Sequence, residues 1–423
     1  MFSDQECKEI AVQVRKLMES KARYDILVIG AGPAGCSAAA SAASKGAKVA
    51  LLEQEEAVAL HVRTSGVTWQ SDADNLGIPK EFYHPIHSFK FFSPNGSSEV
   101  DCTKEAACVL DVRGLYRFLA ERAADEGAEI FLSYRATKAL KDSNSKAISG
   151  LLASARGART VELNSELIID ASGFHSFLSK EIEGINAWTR FGIGAEYEAY
   201  VENVDEYSWM LMVGREFSPA GYAWLFPLGK NRARIGVGIG RPNSEVNPSE
   251  MLDQLLSKRP GPLAKIGRIA PIEFHFGMVP NQGLRDSFTG KGYAMVGDSA
   301  GQVNPLVLEG IRFAIRYGRL CGEAAAEQLA YGNDALTNKY EARVKNEIKR
   351  KVDTAMRVQS RWLNLDDEGW DKEIEMINQF SCEEFLTFIK ADFSPSAIIK
   401  LSAKHPSLAA RELFSLVRSS LGF

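Results

Sequence analysis

The sequence has few of the features that mark membrane-spanning, secreted or nucleic-acid-binding proteins. No stretch approaches the roughly 18 uninterrupted apolar residues of a candidate transmembrane helix. Residues 1–23 are charged throughout, which predicts a short amphipathic helix rather than a secretory signal. The net charge of −4 offers no basic excess for a nucleic-acid partner. These absences predict a cytoplasmic protein.

Cysteine is scarce and widely scattered. No CxxC spacing occurs, and such a spacing would be expected of a zinc site or a dithiol redox site. We therefore expect reduced cysteines, as in a cytosolic protein, and no metal site. The six cysteines are Cys7, Cys36, Cys102, Cys108, Cys321 and Cys382.

Residues 24–53 have the order strand, glycine turn, helix, strand. The apolar run Asp25–Ile29 predicts a buried parallel strand, and Gly30-Ala-Gly32-Pro-Ala-Gly35 follows it directly. Gly30 would make the tight turn, Gly32 would let the backbone approach a pyrophosphate, and Gly35 would let the helix lie close to the sheet. This context predicts a dinucleotide-binding unit.

The remaining residues of this unit fit the same ligand. Pro33 and Ala34 open the predicted helix, whose N-terminus would direct free N–H groups and the positive dipole end at the phosphates. Glu53 ends the second apolar strand, where a carboxylate can accept both hydroxyls of an adenosine ribose. An acid there favours FAD or NAD over NADP.

A second motif occupies residues 293–319. A predicted strand ends on Gly297-Asp298, a turn of small residues that includes Gly301 follows, and Asn304-Pro305 precedes Glu309-Gly310-Ile311. A long helix is expected over about 307–331.

This second motif resembles the Gly-Asp block of flavoproteins with the p-hydroxybenzoate hydroxylase fold, and most closely that of geranylgeranyl reductases. The resemblance implies that Asp298 binds the flavin ribityl chain. It also implies that the helix N-terminus at Gly310-Ile311 faces the flavin N1/C2 carbonyl and stabilises the charge of reduced flavin. Glu309 would lie in the flavin pocket or cap the helix.

Three further segments extend the resemblance to this family. Arg63 is similar to its flavin-contacting arginine after the second strand, and Arg113 to its arginine at the start of a helix. Asp170-Ala-Ser-Gly173 resembles its motif near the pyrophosphate. One departure is Thr64, because archaeal geranylgeranyl reductases often have a cysteine at this point. The cofactor-site residues expected from all these motifs are Gly30, Gly32, Pro33, Ala34, Gly35, Glu53, Arg63, Thr64, Arg113, Asp298, Gly301, Pro305, Gly310 and Ile311.

The segment Tyr222-Ala-Trp224-Leu-Phe226-Pro227 bears on the substrate. Geranylgeranyl reductases have a Tyr-x-Trp-x-Phe-Pro strand along their lipid channel, and here it is intact. Tyr222, Trp224 and Phe226 would share one face of a strand, where they could line an apolar channel. An ordinary core strand is the alternative. Flavin-dependent halogenases have Trp-x-Trp-x-Ile-Pro there and need a lysine that is absent between residues 61 and 77.

The predicted fold class is α/β + β. A Rossmann-type FAD-binding domain carries an inserted antiparallel β-sheet substrate domain, because alternating strand patterns follow one another through residues 190–240. A helical C-terminal region follows. The expected parts are an N-terminal helical extension (1–23), the FAD-binding domain (24–185 and 285–335), the substrate domain (186–284 with parts of 80–110) and the helical region (336–423).

These features predict an FAD-dependent oxidoreductase that reduces C=C bonds of a prenyl chain by hydride transfer from flavin N5. The alternative is an FAD-dependent monooxygenase of an aromatic or polyketide-like substrate. No second GxGxxG occurs, so no dedicated nicotinamide domain is expected, and the electron donor would be NAD(P)H that binds transiently or a ferredoxin. Apolar residues between 385 and 401 suggest peripheral contact with a membrane or ordinary helix packing. His175 and His275 could transfer a proton, although a structural, hydrogen-bonded role is favoured for both.

Overall fold

The computed structural model describes residues 22–157 and 159–406. The predicted N-terminal helix and the last residues of the predicted helical region therefore lie outside the described residues. Among the described residues, no helix is both long and apolar enough to cross a membrane.

In the described residues, strands and helices are mixed up to residue 170. Strands predominate between residues 191 and 295, and helices follow to residue 404. The strands are β1 (Ala22–Ile29), β2 (Val49–Glu53), β3 (Val67–Trp69), β4 (Tyr83–Ile86), β5 (Ser88–Phe92), β6 (Ser97–Asp101), β7 (Ala107–Leu110), β8 (Glu129–Leu132), β9 (Arg135–Lys141), β10 (Ile148–Ala155), β11 (Arg159–Asp170), β12 (Phe191–Val201), β13 (Ser208–Gly214), β14 (Ser218–Gly229), β15 (Arg232–Arg241), β16 (Ile269–Pro280), β17 (Thr289–Gly290) and β18 (Tyr293–Met295). The α-helices are α1 (Pro33–Ala43), α2 (Gln70–Leu76), α3 (Val112–Asp125), α4 (Pro248–Lys258), α5 (Ile311–Tyr331), α6 (Ala342–Val344), α7 (Arg350–Trp362), α8 (Asp367–Ile377), α9 (Cys382–Ile389) and α10 (Pro395–Lys404).

The first sheet has the order β17-β18-β11-β1-β2-β8, and β10 and β9 extend it from β11. Its central pairs are parallel, and β1 lies between β2 and β11. Residues Ile26–Ile29 are consequently buried on both faces, which explains their uninterrupted apolar character. Helix α1 connects β1 to β2 and is itself mostly buried, because it packs between this sheet and α5.

The second sheet has the order β16-β12-β15-β14-β13-β5-β6. All its neighbours are antiparallel except β5 and β13, which run parallel. The hairpin of β5 and β6 comes from residues 88–101, so this sheet draws on the early segment as well as on residues 191–280. A third, small sheet has the order β3-β7-β4.

The helical C-terminal region packs against the second sheet. The rings of Phe385 on α9 and Phe89 on β5 lie 4.9 Å apart, and Phe388 and Leu401 are also buried. Phe385, Phe388 and Leu401 are thus packed inside the protein, as the alternative of ordinary helix packing predicts. Ile399, in contrast, is 68% exposed. The architecture of two sheets and a helical region confirms the predicted fold class.

One cysteine prediction is wrong. Cys102, which follows β6, and Cys382, the first residue of α9, form a disulfide. The two residues are 280 positions apart, so their spacing carried no local signal of pairing. Cys36, Cys108 and Cys321 are free and buried, as expected of reduced cysteines.

Candidate functional site

Several strands of the first sheet end at one edge. The ends of β1, β2, β11 and β18 bring together the turn after Ile29, Glu53, Asp170 and the segment that leads to Asp298. Ligands of open α/β sheets bind outside the carboxyl ends of the strands, at the point where the strand order reverses. Here that point lies beside β1, which has β2 on one side and β11 on the other.

The turn between β1 and α1 has the geometry that the motif predicts. Gly30 has a φ of 97°, and a Cβ there would lie 2.6 Å from the carbonyl oxygen of Ala171. A Cβ at Gly35 would overlap the carbonyl oxygen of Gly30, so the helix could not approach as closely. A Cβ at Gly32 would meet nothing within 4 Å. The space above Gly32 is open to a ligand, and no side chain of the described residues caps the N-terminus of α1.

Glu53 is held against this turn. Its carboxylate accepts hydrogen bonds from the backbone N–H groups of Ala31, at 2.9 Å, and Glu55, at 3.0 Å. A carboxylate has about four acceptor positions, so two remain for hydroxyl donors. This is the geometry that ribose recognition requires.

Asp170 has a different role from Glu53. Its buried carboxylate accepts from the N–H and hydroxyl groups of Ser172, the hydroxyl of Ser176 and the N–H of Leu178. These four bonds use its acceptor positions. The side chain therefore shapes the loop beside the turn at Gly30 and does not reach a ligand.

Asp298 is short of partners. Among the described residues its carboxylate forms no hydrogen bond or ion pair, and burial raises its pKa to about 6. A Cβ at Gly310 would lie 3.3 Å from Asp298 Oδ1, so the carboxylate adjoins the N-terminus of α5. An under-solvated carboxylate without donors fits a ligand that brings hydroxyl groups, such as a ribityl chain.

The N-cap residue of α5 is Gly310, which precedes Ile311 and has no side chain with which to cap the helix. Glu309 lines the adjacent cavity, but its carboxylate also accepts hydrogen bonds from the side chain and, at 3.4 Å, the backbone of Arg312. Burial raises the pKa of Glu309, while Arg312 opposes that shift. Both interpretations of Glu309 from the sequence therefore apply.

The predicted helix start at about residue 307 is wrong by one turn. Asn304 and Glu309 form an antiparallel bridge, and Leu308 has a φ of 51°, so the chain turns before α5 begins at Ile311. Pro305 lies inside this turn. Gly301, with a φ of 76°, packs so closely on Gly283 that a Cβ would overlap its carbonyl oxygen.

The two arginines expected at the cofactor have protein partners. Arg63 is more than half exposed and pairs with Glu55 at 3.3 Å, while its backbone and Thr64 line the cavity. The guanidinium of Arg113 binds Glu273 at 2.5 Å and also donates to the carbonyl of Ala59. In this structure Arg113 supports the loop that precedes Arg63 and does not line the cavity.

A cavity of about 1290 Å³, including open solvent at its mouth, lies between the second sheet, the loop at residues 63–67, the turn before α5 and the C-terminal helices. One wall is the loop at residues 63–67 together with Gly310 and Ile311. The C-terminal helices contribute Trp362, Leu363 and Trp370 to another part of the wall. The space thus extends from the predicted flavin site to the helical region.

The Tyr-x-Trp-x-Phe segment lies on β14, next to this cavity. Tyr222, Trp224 and Phe226 share one face of β14 and line the cavity, and the planes of Trp224 and Phe226 are nearly parallel with ring centroids 6.0 Å apart. The Tyr222 hydroxyl donates to the carbonyl of Val307 at 2.8 Å, which ties the strand to the turn before α5. Trp224 and Phe226 also belong to the adjoining core, so the channel and core interpretations describe one surface.

The floor of the cavity consists largely of glycine backbone. Gly192 pairs with Gly240, and Gly194 with Gly238, across β12 and β15. All four residues line the cavity. Because these positions lack side chains, Trp224, Leu308 and Leu363 can lie close to the backbone of the sheet, and the cavity extends beside them.

The buried partners of His275 at the cavity were not predicted from the sequence. Glu196 on β12 pairs in register with His275 on β16, and Arg234 on β15 lies beside them. Burial alone would raise the pKa of Glu196, but hydrogen bonding to His275 and the charge of Arg234 lower it overall. A glutamate at the inward position of an apolar strand, two residues after Gly194, was the available signal.

Comparisons with known proteins agree with this site. Residues 25–177 match the FAD dependent oxidoreductase family, and residues 191–279 match the geranylgeranyl reductase catalytic domain. The digeranylgeranylglycerophospholipid reductase of Methanosarcina acetivorans is 30% identical over 386 residues, covering 86% of this chain and 91% of that protein. Digeranylgeranylglycerophospholipid reductase 1 of Methanopyrus kandleri is 30% identical and covers 81% and 92%.

Solved structures show the same fold. A geranylgeranyl bacteriochlorophyll reductase-like protein from Thermoplasma acidophilum superposes with a TM-score of 0.77 at 22% identity, covering 90% of this chain and 99% of that one. A probable FAD-dependent monooxygenase from Pseudomonas aeruginosa gives 0.61 at 15% identity, covering 84% and 99%. Taken with the sequence relatives and the fit of the site to FAD, this chain belongs to the geranylgeranyl reductase family of FAD-dependent oxidoreductases.

Proposed function

We propose that the protein reduces C=C bonds in the prenyl chains of an isoprenoid lipid. The observation that carries the proposal is the cavity, because it joins the aromatic face of β14 to the loop at residues 63–67 and to the N-terminus of α5. The names of the relatives, digeranylgeranylglycerophospholipid reductases, support the substrate class.

The residues at the edge of the first sheet would hold the cofactor. The open turn at Gly32 and the uncapped N-terminus of α1 suit the pyrophosphate, Glu53 suits the ribose, and Asp298 suits the ribityl hydroxyls. FAD, when bound and reduced, supplies the hydride. The positive end of the α5 dipole, which begins after Gly310, would stabilise negative charge on the bound ring system.

The cavity would position the alkene. An isolated C=C bond carries no charge or strong dipole by which a protein could hold it, so close packing against apolar walls must orient it. Trp224 and Phe226 supply flat, buried surfaces, and Gly194 and Gly238 let the Trp224 ring lie close to the sheet, so that a prenyl chain can pass over its face. Exclusion of water would also protect the hydride during transfer.

Two parts of the proposal concern partners. The sequence has no second glycine-rich dinucleotide turn, which argues against a dedicated nicotinamide domain. The electron donor would be NAD(P)H that binds transiently or a ferredoxin. Steady-state reduction of the bound flavin by each donor identifies it. Peripheral contact with a membrane follows from a lipid substrate, and failure to sediment with liposomes would remove it.

The test is anaerobic and uses the flavin-loaded protein. Protein reduced with dithionite is mixed in a stopped-flow spectrometer with a digeranylgeranylglycerophospholipid, and the saturated lipid with the same headgroup is the control. We expect reoxidation with the unsaturated lipid alone, and mass spectra that show one H₂ gained per reduced bond. Absence of anaerobic reoxidation, with incorporation of labelled oxygen into an aromatic substrate in air, would support a monooxygenase instead.

A further inference from the structure

A carboxylate and an imidazole lie side by side in the wall of the cavity. His275 Nδ1 is 2.8 Å from Glu196 Oε1, and both side chains are almost inaccessible, with exposures of 2% and 3%. His275 Nε2 is buried and has no hydrogen-bond partner among the described residues, the carboxylate of Glu273 being 3.6 Å away. A buried imidazole nitrogen without a hydrogen bond, beside a ligand cavity, calls for an explanation.

Glu196 connects this imidazole to the aromatic wall. The indole Nε1 of Trp224 donates to Glu196 Oε2 at 3.0 Å across the intervening strand β15. Gly236 makes that contact possible, because a Cβ there would overlap the Trp224 ring and lie 2.6 Å from Glu196 Cβ. Trp224 therefore lies flat over the backbone, and its polar edge reaches the carboxylate.

Arg234 connects the same group to the flavin side. Its guanidinium donates to the carbonyl of Ser65 at 2.8 Å and to that of Leu110 at 3.0 Å, and its Nε lies 4.0 Å from Glu196 Oε1. The carbonyl of Arg63 also packs on Gly277, two residues after His275. The imidazole thus lies between the aromatic wall and the loop at residues 63–67.

The charges fix the orientation of the ring. An ionised Glu196 accepts the proton of His275 Nδ1, so the other nitrogen, Nε2, is the one that can deliver a proton elsewhere. Hydrogen bonds and charge keep the pKa of Glu196 below its usual range despite burial. The charged groups around His275 are Glu196 on β12, Arg234 on β15, Glu273 on its own strand and Arg113 on α3, which pairs with Glu273.

We propose that His275 donates the proton in the reduction of the alkene and that Glu196 is the residue that positions it. This inference rests on the proposed function. Reduction of C=C requires a hydride and a proton. One new C–H bond takes its electron pair from the hydride. The Nε2–H bond of the imidazolium breaks and its proton forms the second C–H bond. The neutral imidazole regains a proton from water by way of the partly exposed carboxylate of Glu273, 3.6 Å from Nε2.

The experiment compares His275→Gln and His275→Ala with a histidine outside the cavity, His87→Gln, whose ring contacts Tyr207. Each flavin-loaded protein is reduced anaerobically and mixed with the digeranylgeranylglycerophospholipid. We expect both His275 variants to react at least about 100-fold more slowly, the usual contribution of a general acid, with unchanged flavin content. His87→Gln should react as the unmodified protein does.

Rescue separates proton donation from a structural role. Added imidazole should restore much of the rate of His275→Ala, because it can occupy the space left by the ring, and should not restore that of His275→Gln. Glu196→Gln should slow the reaction while leaving flavin content unchanged. Rates within about threefold of the unmodified protein in both His275 variants, or slow variants without imidazole rescue, would overturn the inference. If the unmodified protein itself fails to react, the proposed function is what fails.

A second readout needs neither flavin nor turnover. In ¹⁵N-labelled, flavin-free protein, the signals absent from His275→Gln identify the nitrogens of His275. We expect Nδ1 to carry a proton protected from exchange by Glu196. A proton on Nε2 alone would contradict the orientation on which the inference depends.

Discussion

Single glycines determine where this protein can accept a long apolar molecule. Gly194 and Gly238 face each other across β12 and β15, and the ring of Trp224 packs on both. Leu308, in the turn before α5, lies so close to Gly192 that a Cβ there would overlap its side chain. The glycines thus set both the depth of the cavity and the path of the turn that leads to the flavin site.

The charged carboxylate of Asp298 destabilises the flavin-free protein but would stabilise the flavin-bound one. Its pKa, raised by burial from 3.8 to about 6, favours the folded state below about pH 3.8, and this contribution is lost as pH rises through about 6. At neutral pH the flavin-free protein therefore carries an unfavourable buried charge. The same charge is the acceptor that the ribityl hydroxyls would need.

We therefore expect Asp298→Asn to act oppositely on the two forms. At pH 7 the flavin-free variant should be more stable by about 1–3 kcal/mol, and this difference should vanish near pH 4. Flavin affinity should fall about tenfold or more, because a charge-assisted hydrogen bond is lost. Urea unfolding of the flavin-free protein and equilibrium dialysis with FAD measure the two effects.

The exposed Asp253 on α4 supplies the matched control, and Asp253→Asn should change neither quantity. Full flavin occupancy in Asp298→Asn under dilute conditions would contradict the ribityl assignment. An unchanged pH dependence of unfolding would contradict the raised pKa.

At the scale of elements, the sequence predicted best what neighbouring residues encode. The strand, turn and helix of residues 24–53 are contiguous, and Gly30 and Gly35 meet steric limits within that segment or against Ala171, whereas Gly32 leaves open space. The start of α5 was misplaced because Glu309 pairs with Asn304 in a bridge, which a helical pattern does not reveal. Arg113 matched a motif, but its guanidinium is engaged by Glu273, 160 residues away.

Pairings between distant segments had no sequence signal. The parallel alignment of β5 with β13 depends on the whole second sheet, and the contact of Glu196 with His275 depends on the register of β12 with β16. The same applies to Cys102 and Cys382. A cysteine pattern predicts pairing only when the spacing is local or belongs to a known framework.

The disulfide attaches α9 to the body of the protein, and we expect it to stabilise the fold. A cross-link that closes so long a loop restricts the unfolded chain, and native disulfides typically contribute about 2–4 kcal/mol. Cys102→Ser should lower the free energy of unfolding by that amount, measured in urea without reductant. Dithiothreitol should lower it similarly in the unmodified protein and should have no further effect on Cys102→Ser.

Identical unfolding of the unmodified protein with and without dithiothreitol would show that the bond is absent or contributes nothing. A further loss of stability in the Cys102→Ser variant on reduction would place the effect at another cysteine. Mass spectrometry after alkylation of free thiols reports directly on whether Cys102 and Cys382 are joined.

At the scale of the whole molecule, the cavity belongs to no single part of the chain. The loop at residues 63–67 and the start of α5 supply the flavin side, the second sheet supplies the floor and the aromatic wall, and α7 and α8 supply a further part of the wall. Leu363, which follows α7, lies over Gly240 at the edge of the glycine floor, with Cδ2 3.0 Å from where a Cβ would be. The helical region therefore limits the length of chain that the cavity accepts.

This arrangement predicts a selective effect of bulk at residue 363. Leu363→Trp should slow anaerobic flavin reoxidation by the digeranylgeranylglycerophospholipid at least about tenfold more than it slows reoxidation by the shorter geraniol. Overpacking costs about 1–3 kcal/mol, and only a ligand long enough to reach residue 363 meets that cost. Ile399→Trp, which adds the same ring at an exposed position of α10, should leave the ratio of the two rates unchanged. Equal slowing of both substrates by Leu363→Trp would mean that prenyl chains leave the cavity by another route, and that the C-terminal helices only support the second sheet.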